Sequence, residues 1–416
     1  MKIKNIKASI ILDSRGSKTV KVDIFSDKNR AEASIPSGKS KGFFEAVSLI
    51  AEESIKKINY LRPKLKEIDF DSPFDFDKYL IEIDGVENKQ NLGANTILAL
   101  SIAFLRLWSK ENNIPLYSAI SKLSGIENYV FPRIFVNLIN GGLHAKEEFN
   151  PLAFQEYLIV PKENSPRLAL KSVFEFIEIL KGAVCQFQSG LIEGDEGGFI
   201  LSGDDPEIGF KILNETLLIV DDKIKIDFAL DAAASSFFTT EGQPTAEEYS
   251  KEGFYLWREQ KWSRKELMNL YLKIIENYPL ISIEDPFSEN DWEGWRILSS
   301  KFKVQNSKFL IVGDDLTVTN PKRIKLAKQK EACNAIIIKP NQIGTIFETI
   351  EAVKLAKSFG FKTIVSHRSG ETNDDFIADL AFGLGVDGLK AGSPIQMERL
   401  VKYERLIQIE EEIKIN

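Results

Sequence analysis

The sequence predicts an α/β protein in two parts, an N-terminal α+β domain over residues 1–125 and an α/β barrel over residues 126–416. Three observations carry this prediction. The first third mixes alternating strands with amphipathic helices in no regular order. Beyond residue 125, short apolar runs take turns with helical stretches, as βα units do. Several of those runs end in an ionisable residue, at intervals of roughly 25–30 residues, the scale of a strand, a helix and a return.

In the first part, "KIKNIKASIILDS", "TVKVDIFSD" and "RAEASIP" alternate apolar with polar residues, as half-exposed antiparallel strands do. "DSRGS" and "SDKNR" supply the turns between them. "EAVSLIAEESIKKI", "PFDFDKYLIEI" and "GANTILALSIAFLRLWSKEN" place apolar residues three and four apart and predict helices. "SGIENYVFPR" ends the region in turn formers, which puts the boundary near Gly125. The strands expected after it are "IFVNLIN", "FQEYLIVP", "IDFALD", "LISIEDP", "FLIVGDD", "AIIIKP", "TIVSH" and "GLKAG". Parallel strands joined by helices need cover on both faces, and a long succession of them closes into a barrel. The C-terminal strand ends then meet at one mouth, where scattered polar residues converge.

Composition narrows the function. With 54 basic and 61 acidic residues the net charge is −7, which disfavours nonspecific binding to nucleic acid or an acidic membrane. The longest apolar helical run, "TILALSIAFLRLW", is broken by Arg106 and reads as a buried helix. The apolar run at the N-terminus stops at Asp13, too soon for a signal peptide, so a cytoplasmic protein is expected. Cys185 and Cys333 lie beside apolar residues and far apart, and read as inert core thiols. Two histidines, His144 and His367, are too few for a histidine-rich zinc site, so a metal here would take oxygen ligands.

Four groups of residues suggest chemistry. Asp231, Glu284 and Asp314 each follow an apolar strand, and three acids at one mouth repel unless a hard cation such as Mg²⁺ sits among them. Spacing does not choose between Glu284 and Asp285, or between Asp314 and Asp315. "EGDEGGF" sets three acids among three glycines, a tight loop in which Glu196 is a candidate general acid or one of several surface charges. "SHRSGET" offers His367, Arg368 and Ser369 together, suited to holding a phosphate, though a helix-capping turn has similar residues. Lys339 ends the strand "AIII", whose lack of polar alternation means burial on both faces. "PSGKSKG" lacks the spacing of an ATP-binding P-loop.

The strings "LDSRG", "PSGKSKGFFEA", "NLGAN", "NGGLHA", "FQEYLIVP", "GDEGGF", "LDAAAS", "SIEDP", "DWEGW", "VGDDLTVTNP", "KPNQIGT", "SHRSGET" and "KAGSP" resemble the enolase family, in that family's order. The resemblance runs from Asp13 to Pro394. It implies a small α+β domain followed by a modified TIM-type α/β barrel, and reversible dehydration of 2-phosphoglycerate to phosphoenolpyruvate in glycolysis and gluconeogenesis. By the same resemblance Lys339 is the base that takes the C2 proton, Glu196 the acid that helps the C3 hydroxyl leave, and Glu156 its neighbour. Asp231, Glu284 and Asp314 would ligate one Mg²⁺ and Ser40 a second, two per active site. His144, Gln155, His367, Arg368, Ser369 and Lys390 would bind substrate, and the chain would form a homodimer.

Several positions depart from the family pattern. Lys39 and Lys41 flank Ser40 where alanine and threonine are usual, Leu143 precedes His144 in place of serine, and Pro340 follows Lys339 in place of valine. Ser236 replaces a glutamate, and "PIQMER" replaces "PARSER". Two other expectations stay open beside the main one: a catalytically weak relative serving as a binding scaffold, and a dehydratase of acid sugars.

Overall fold

The computed structural model describes residues 1–39, 42, 44–127, 129–239, 253–304 and 308–415. Alternation in the first strands produces a sheet with one buried face. β1 (Asn5–Leu12), β2 (Lys18–Phe25) and β3 (Arg30–Ser34) form an antiparallel meander. Val20, Val22 and Ile24 of β2 and Ala31 and Ala33 of β3 are buried at a spacing of two, and Thr19 is buried beside Val20, its hydroxyl donating to the Ile35 carbonyl at 2.5 Å.

Four helices follow: α1 (Ala51–Glu67), α2 (Pro73–Asp84), α3 (Ala94–Glu111) and α4 (Leu116–Ser124). The Ser72 hydroxyl caps α2 by accepting the Asp75 N–H, and Gly85 ends it in the left-handed conformation. α3 is buried on nearly every face because β2 and β3 cover one side and barrel elements the other. Arg106, which interrupts its apolar run, is paired with Asp374 and Asp375, both at 2.7 Å. The helix expected from Glu45 begins only at Ala51. Before it, the Ala46 and Val47 N–H groups donate to the Gln342 and Asn88 carbonyls, so tertiary bonds replace the helical ones.

The remaining strands are β4 (Arg133–Asn140), β5 (Glu156–Pro161), β6 (Phe199–Ile200), β7 (Ile226–Asp231), β8 (Phe238–Thr239), β9 (Phe254–Trp257), β10 (Gln260–Trp262), β11 (Leu280–Glu284), β12 (Leu310–Gly313), β13 (Ala335–Ile338), β14 (Lys362–Ser366) and β15 (Gly388–Lys390). Eight of these described strands close a ring in the order β4, β5, β7, β11, β12, β13, β14, β15, and β15 pairs back to β4. β6 lies along the end of β4, and β8, β9 and β10 form a separate small sheet. The helices of this part are α5 (Pro166–Phe187), α6 (Ile208–Ile219), α7 (Arg264–Asn277), α8 (Trp292–Val304), α9 (Pro321–Gln329), α10 (Ile346–Ser358), α11 (Phe376–Gly383) and α12 (Met397–Ile415).

One expectation fails here. The strands are not all parallel, because β5 runs antiparallel to both β4 and β7. The link from β4 to β5 holds only two short 3₁₀ turns, Gly142–His144 and Glu147–Phe149, and a parallel return needs a longer crossover. Cys185 corrects a second expectation. It is exposed, because the helical period turns it outward while its neighbour Val184 faces the core; Cys333 is buried as expected.

Candidate active site

The strand period of two dictates what reaches the mouth. Phe135, Leu158, Val160, Ala229, Val312, Ala335, Ile337 and Ile364 form one apolar cluster that fills the ring. Ile336, Ile338, Leu230, Ile283 and Leu389 belong instead to the larger core under the helices. Counting in twos from the lumen residues puts Asp231 on the lumen face of β7, Asp314 just past β12 and Lys339 just past β13. Counting in twos from Ile283 and Leu389, which face outward, puts Glu284 and Lys390 inward. The reversed strand β5 brings its first residue, Glu156, to the same end, directly opposite Asp231 in the pairing. Gln155 precedes it, its N–H donating to the Asp231 carbonyl at 3.1 Å.

One pocket is lined by Gln155, Glu156, Glu196, His144, Asp231, Asp314, Lys339, His367, Arg368, Ser369 and Lys390. Glu284 joins through Lys390, whose ammonium is 2.9 Å from Glu284, 2.8 Å from Asp231 and 3.2 Å from Glu156. Ser40 lies outside the described residues. Lys339 pairs with Asp314, and the Asp314 carboxylate also accepts the Gln342 amide at 3.1 Å. Arg368 is held by both oxygens of Glu45, at 3.0 and 3.2 Å, and by Asn341. Gly38 passes so close to this guanidinium that an added Cβ would sit 1.9 Å from it.

Two pairs left open by spacing separate by their contacts. The Asp285 carboxylate accepts the backbone N–H groups of Asp314 and Asp315, at 3.0 and 2.8 Å, and so serves the turn. Glu284 faces Lys390 instead. Asp314 carries the lysine contact, while burial and then the charge of Asp314 push the Asp315 carboxyl up to about 8.

The electrostatics are those of acids crowded in a dry site. Burial, then Asp231, raises the Glu284 carboxyl well above the ordinary range. Burial opposes the charge on Lys390, yet Asp231, Glu156 and Glu284 outweigh it and raise its pKa well above that of a free lysine. Burial likewise pulls Lys339 down, but Asp314 reverses the sign and the net direction is up. Glu156 and Glu196 flank His144, whose Nδ1 lies 3.4 Å from the first and 3.6 Å from the second. Burial and the neighbouring Glu196 charge raise Glu156. Burial opposes charge on Glu196 as well, but His144, His367 and Arg399 carry it well below the ordinary range. The two coupled carboxyls are thus pushed in opposite directions, Glu156 up and Glu196 down.

Asp231, Glu284 and Asp314 are buried oxygen donors on adjacent strand ends, the donor type a hard divalent cation takes, and the carboxylates of Asp285, Asp314 and Asp315 converge within 4.8 Å of one another. Sequence reasoning missed Glu45, Gln342, Asn137 and Arg399. Gln342, Glu45 and Arg399 lay within the quoted strings "KPNQIGT", "PSGKSKGFFEA" and "PIQMER" with no role read from them, and Asn137 shares the lumen period of β4.

The fold and this mouth define an α/β-barrel enzyme. The model of the enolase N-terminal domain matches residues 3–120, and that of the enolase C-terminal TIM barrel domain residues 128–416. Enolase B of Dictyostelium discoideum is 38% identical over 431 residues, taking in 100% of this chain and 96% of that protein. The chain belongs to the enolase family and is a hydro-lyase.

Proposed function

We propose that the chain reversibly dehydrates 2-phosphoglycerate to phosphoenolpyruvate in glycolysis and gluconeogenesis, with Lys339 as base and Glu196 as acid. The observation that carries this reading is one pocket that holds the lysines Lys339 and Lys390, the carboxyls Glu156 and Glu196, and the His367–Ser369 run. Lys339 takes the C2 proton, and the electron pair left on C2 is spread into the substrate carboxylate as an enolate. That pair then forms the double bond to C3 as the C3–O bond breaks, and Glu196 protonates the departing oxygen to give water, with Glu156 as its neighbour. Lys390 faces the negative charge that develops beside the substrate carboxylate. Arg368 and Ser369 offer a guanidinium and a hydroxyl to the phosphate, and His144, Gln155 and His367 border the same space.

Asp231, Glu284 and Asp314 would hold a Mg²⁺, and Ser40 would contribute to a second. When bound, these cations neutralise the charge that builds on the substrate carboxylate. Burial of Lys339 works toward its neutral, basic form, and a cation held by Asp314 would weaken the pairing that opposes it.

We place the domain boundary between residues 125 and 126, and infer a cytoplasmic homodimer. Ile10 and Leu12 stand exposed on edge strand β1, a surface that a second copy can cover. Among the described residues no helix is long and apolar enough to cross a membrane. The test of function is the ultraviolet absorbance of phosphoenolpyruvate on mixing the chain with 2-phosphoglycerate and Mg²⁺. A signal that a chelator abolishes is expected, and no signal refutes the reading. Sedimentation tests the dimer.

A further inference from the structure

Arg399, in α12, is fully buried, and its contacts have a chemical consequence. One terminal nitrogen lies 2.6 Å from His367 Nδ1 and 2.6 Å from the Arg368 carbonyl. The other donates to the Ser369 carbonyl at 2.7 Å. A guanidinium has only donors, so His367 Nδ1 can only accept. In a neutral imidazole the hydrogen then sits on Nε2, which lies 3.3 Å from Glu196 Oε2. Asn137 Nδ2 donates to that same oxygen at 3.4 Å. Two donors on Oε2 leave Oε1 as the oxygen able to carry a proton. Oε1 is the oxygen that faces His144 Nδ1, at 3.6 Å, on the side of Glu156.

We propose that Arg399 is a positioning residue that locks the His367 tautomer with hydrogen on Nε2, and thereby leaves Oε1 as the Glu196 oxygen that takes up and delivers a proton. The proposal deepens the reading of Glu196 as the acid and rests on it for its kinetic consequence; the tautomer does not depend on that reading. Burial holds His367 neutral, its pKa pulled down to about 3, which agrees with a lone hydrogen on the ring.

The chain has two histidines, so the imidazole nitrogens are resolved by ¹⁵N NMR of histidine-labelled protein and assigned with His144→Asn. In the wild-type chain His367 is expected to show a bare Nδ1 and a protonated Nε2. A proton on Nδ1 overturns the proposal whatever the variants do. Arg399→Lys keeps a cationic donor and is expected to keep the tautomer. Arg399→Met is expected to mix the tautomers and lower kcat on the order of 10- to 100-fold, with KM within about twofold. An unchanged spectrum and kcat in Arg399→Met also overturns it. Should that variant not fold, the wild-type and Arg399→Lys spectra decide. Failure of the wild-type chain to turn over 2-phosphoglycerate would refute the assigned reaction and leave the tautomer result standing.

Discussion

At the scale of the residue, Lys339 was legible in place and not in charge. An apolar run with no polar alternation, ending in lysine, already implies a side chain delivered rigidly to a strand end, and the lumen period fixes which way it turns. Its pKa was not legible, since that depends on Asp314, which meets it only in three dimensions. Asp285 is similar: its role in holding the turn rests on backbone N–H groups that no spacing reveals. Lys339→Ala removes a strand-end side chain and little core, so kcat is expected to fall by about 10³-fold or more while circular dichroism and Tm stay near wild type. Lys39, a departure from the family, reaches the Leu143 carbonyl at 2.6 Å and Asp195 at 3.0 Å. That pair is partly exposed, and Lys39→Ala is expected to cost no more than about 1 kcal/mol in chemical denaturation.

At the scale of the element, short apolar runs recovered every barrel strand and a period of about four the three long N-terminal helices, with one boundary misplaced at Glu45 and one strand direction misjudged at β5. The direction of β5 lay in the length and content of its connection, which carries no helix. Packing between elements was not legible at all, and Asp77 of α2 is the example. Its carboxylate accepts the Phe347 N–H at 2.8 Å in the first turn of α10, and burial pushes it from 3.8 up to about 7. The folded chain therefore keeps a proton that the unfolded chain has lost between about pH 4 and pH 7. Stability from this group is full below the lower value and is lost as pH rises through the window. Asp77→Asn removes the titration, so its stability relative to wild type is expected to rise from pH 5 to pH 8, by on the order of 2–3 kcal/mol in urea denaturation. No relative change would show that Asp77 is ionised throughout.

At the scale of the whole molecule, the ring gathers residues that are scattered along the sequence from His144 to Lys390 and packs them among like charges. Such crowding is relieved by a bound cation, so Mg²⁺ at about 100 times its Kd is expected to add about 2.7 kcal/mol to unfolding. The accompanying rise in Tm is expected to vanish in a Glu284→Gln, Asp314→Asn double variant. What the ring does for the proposed chemistry is to set Lys339 at the end of β13 and Glu196 beside β4, with β14 and β15 between them. Proton removal and hydroxyl loss are then separable. The most direct measurement is loss of the C2 proton signal of 2-phosphoglycerate in D₂O with Mg²⁺, followed by NMR. Glu196→Gln is expected to exchange that proton without forming phosphoenolpyruvate, and Lys339→Ala to leave it in place. Exchange that persists in Lys339→Ala would mean that another group is the base.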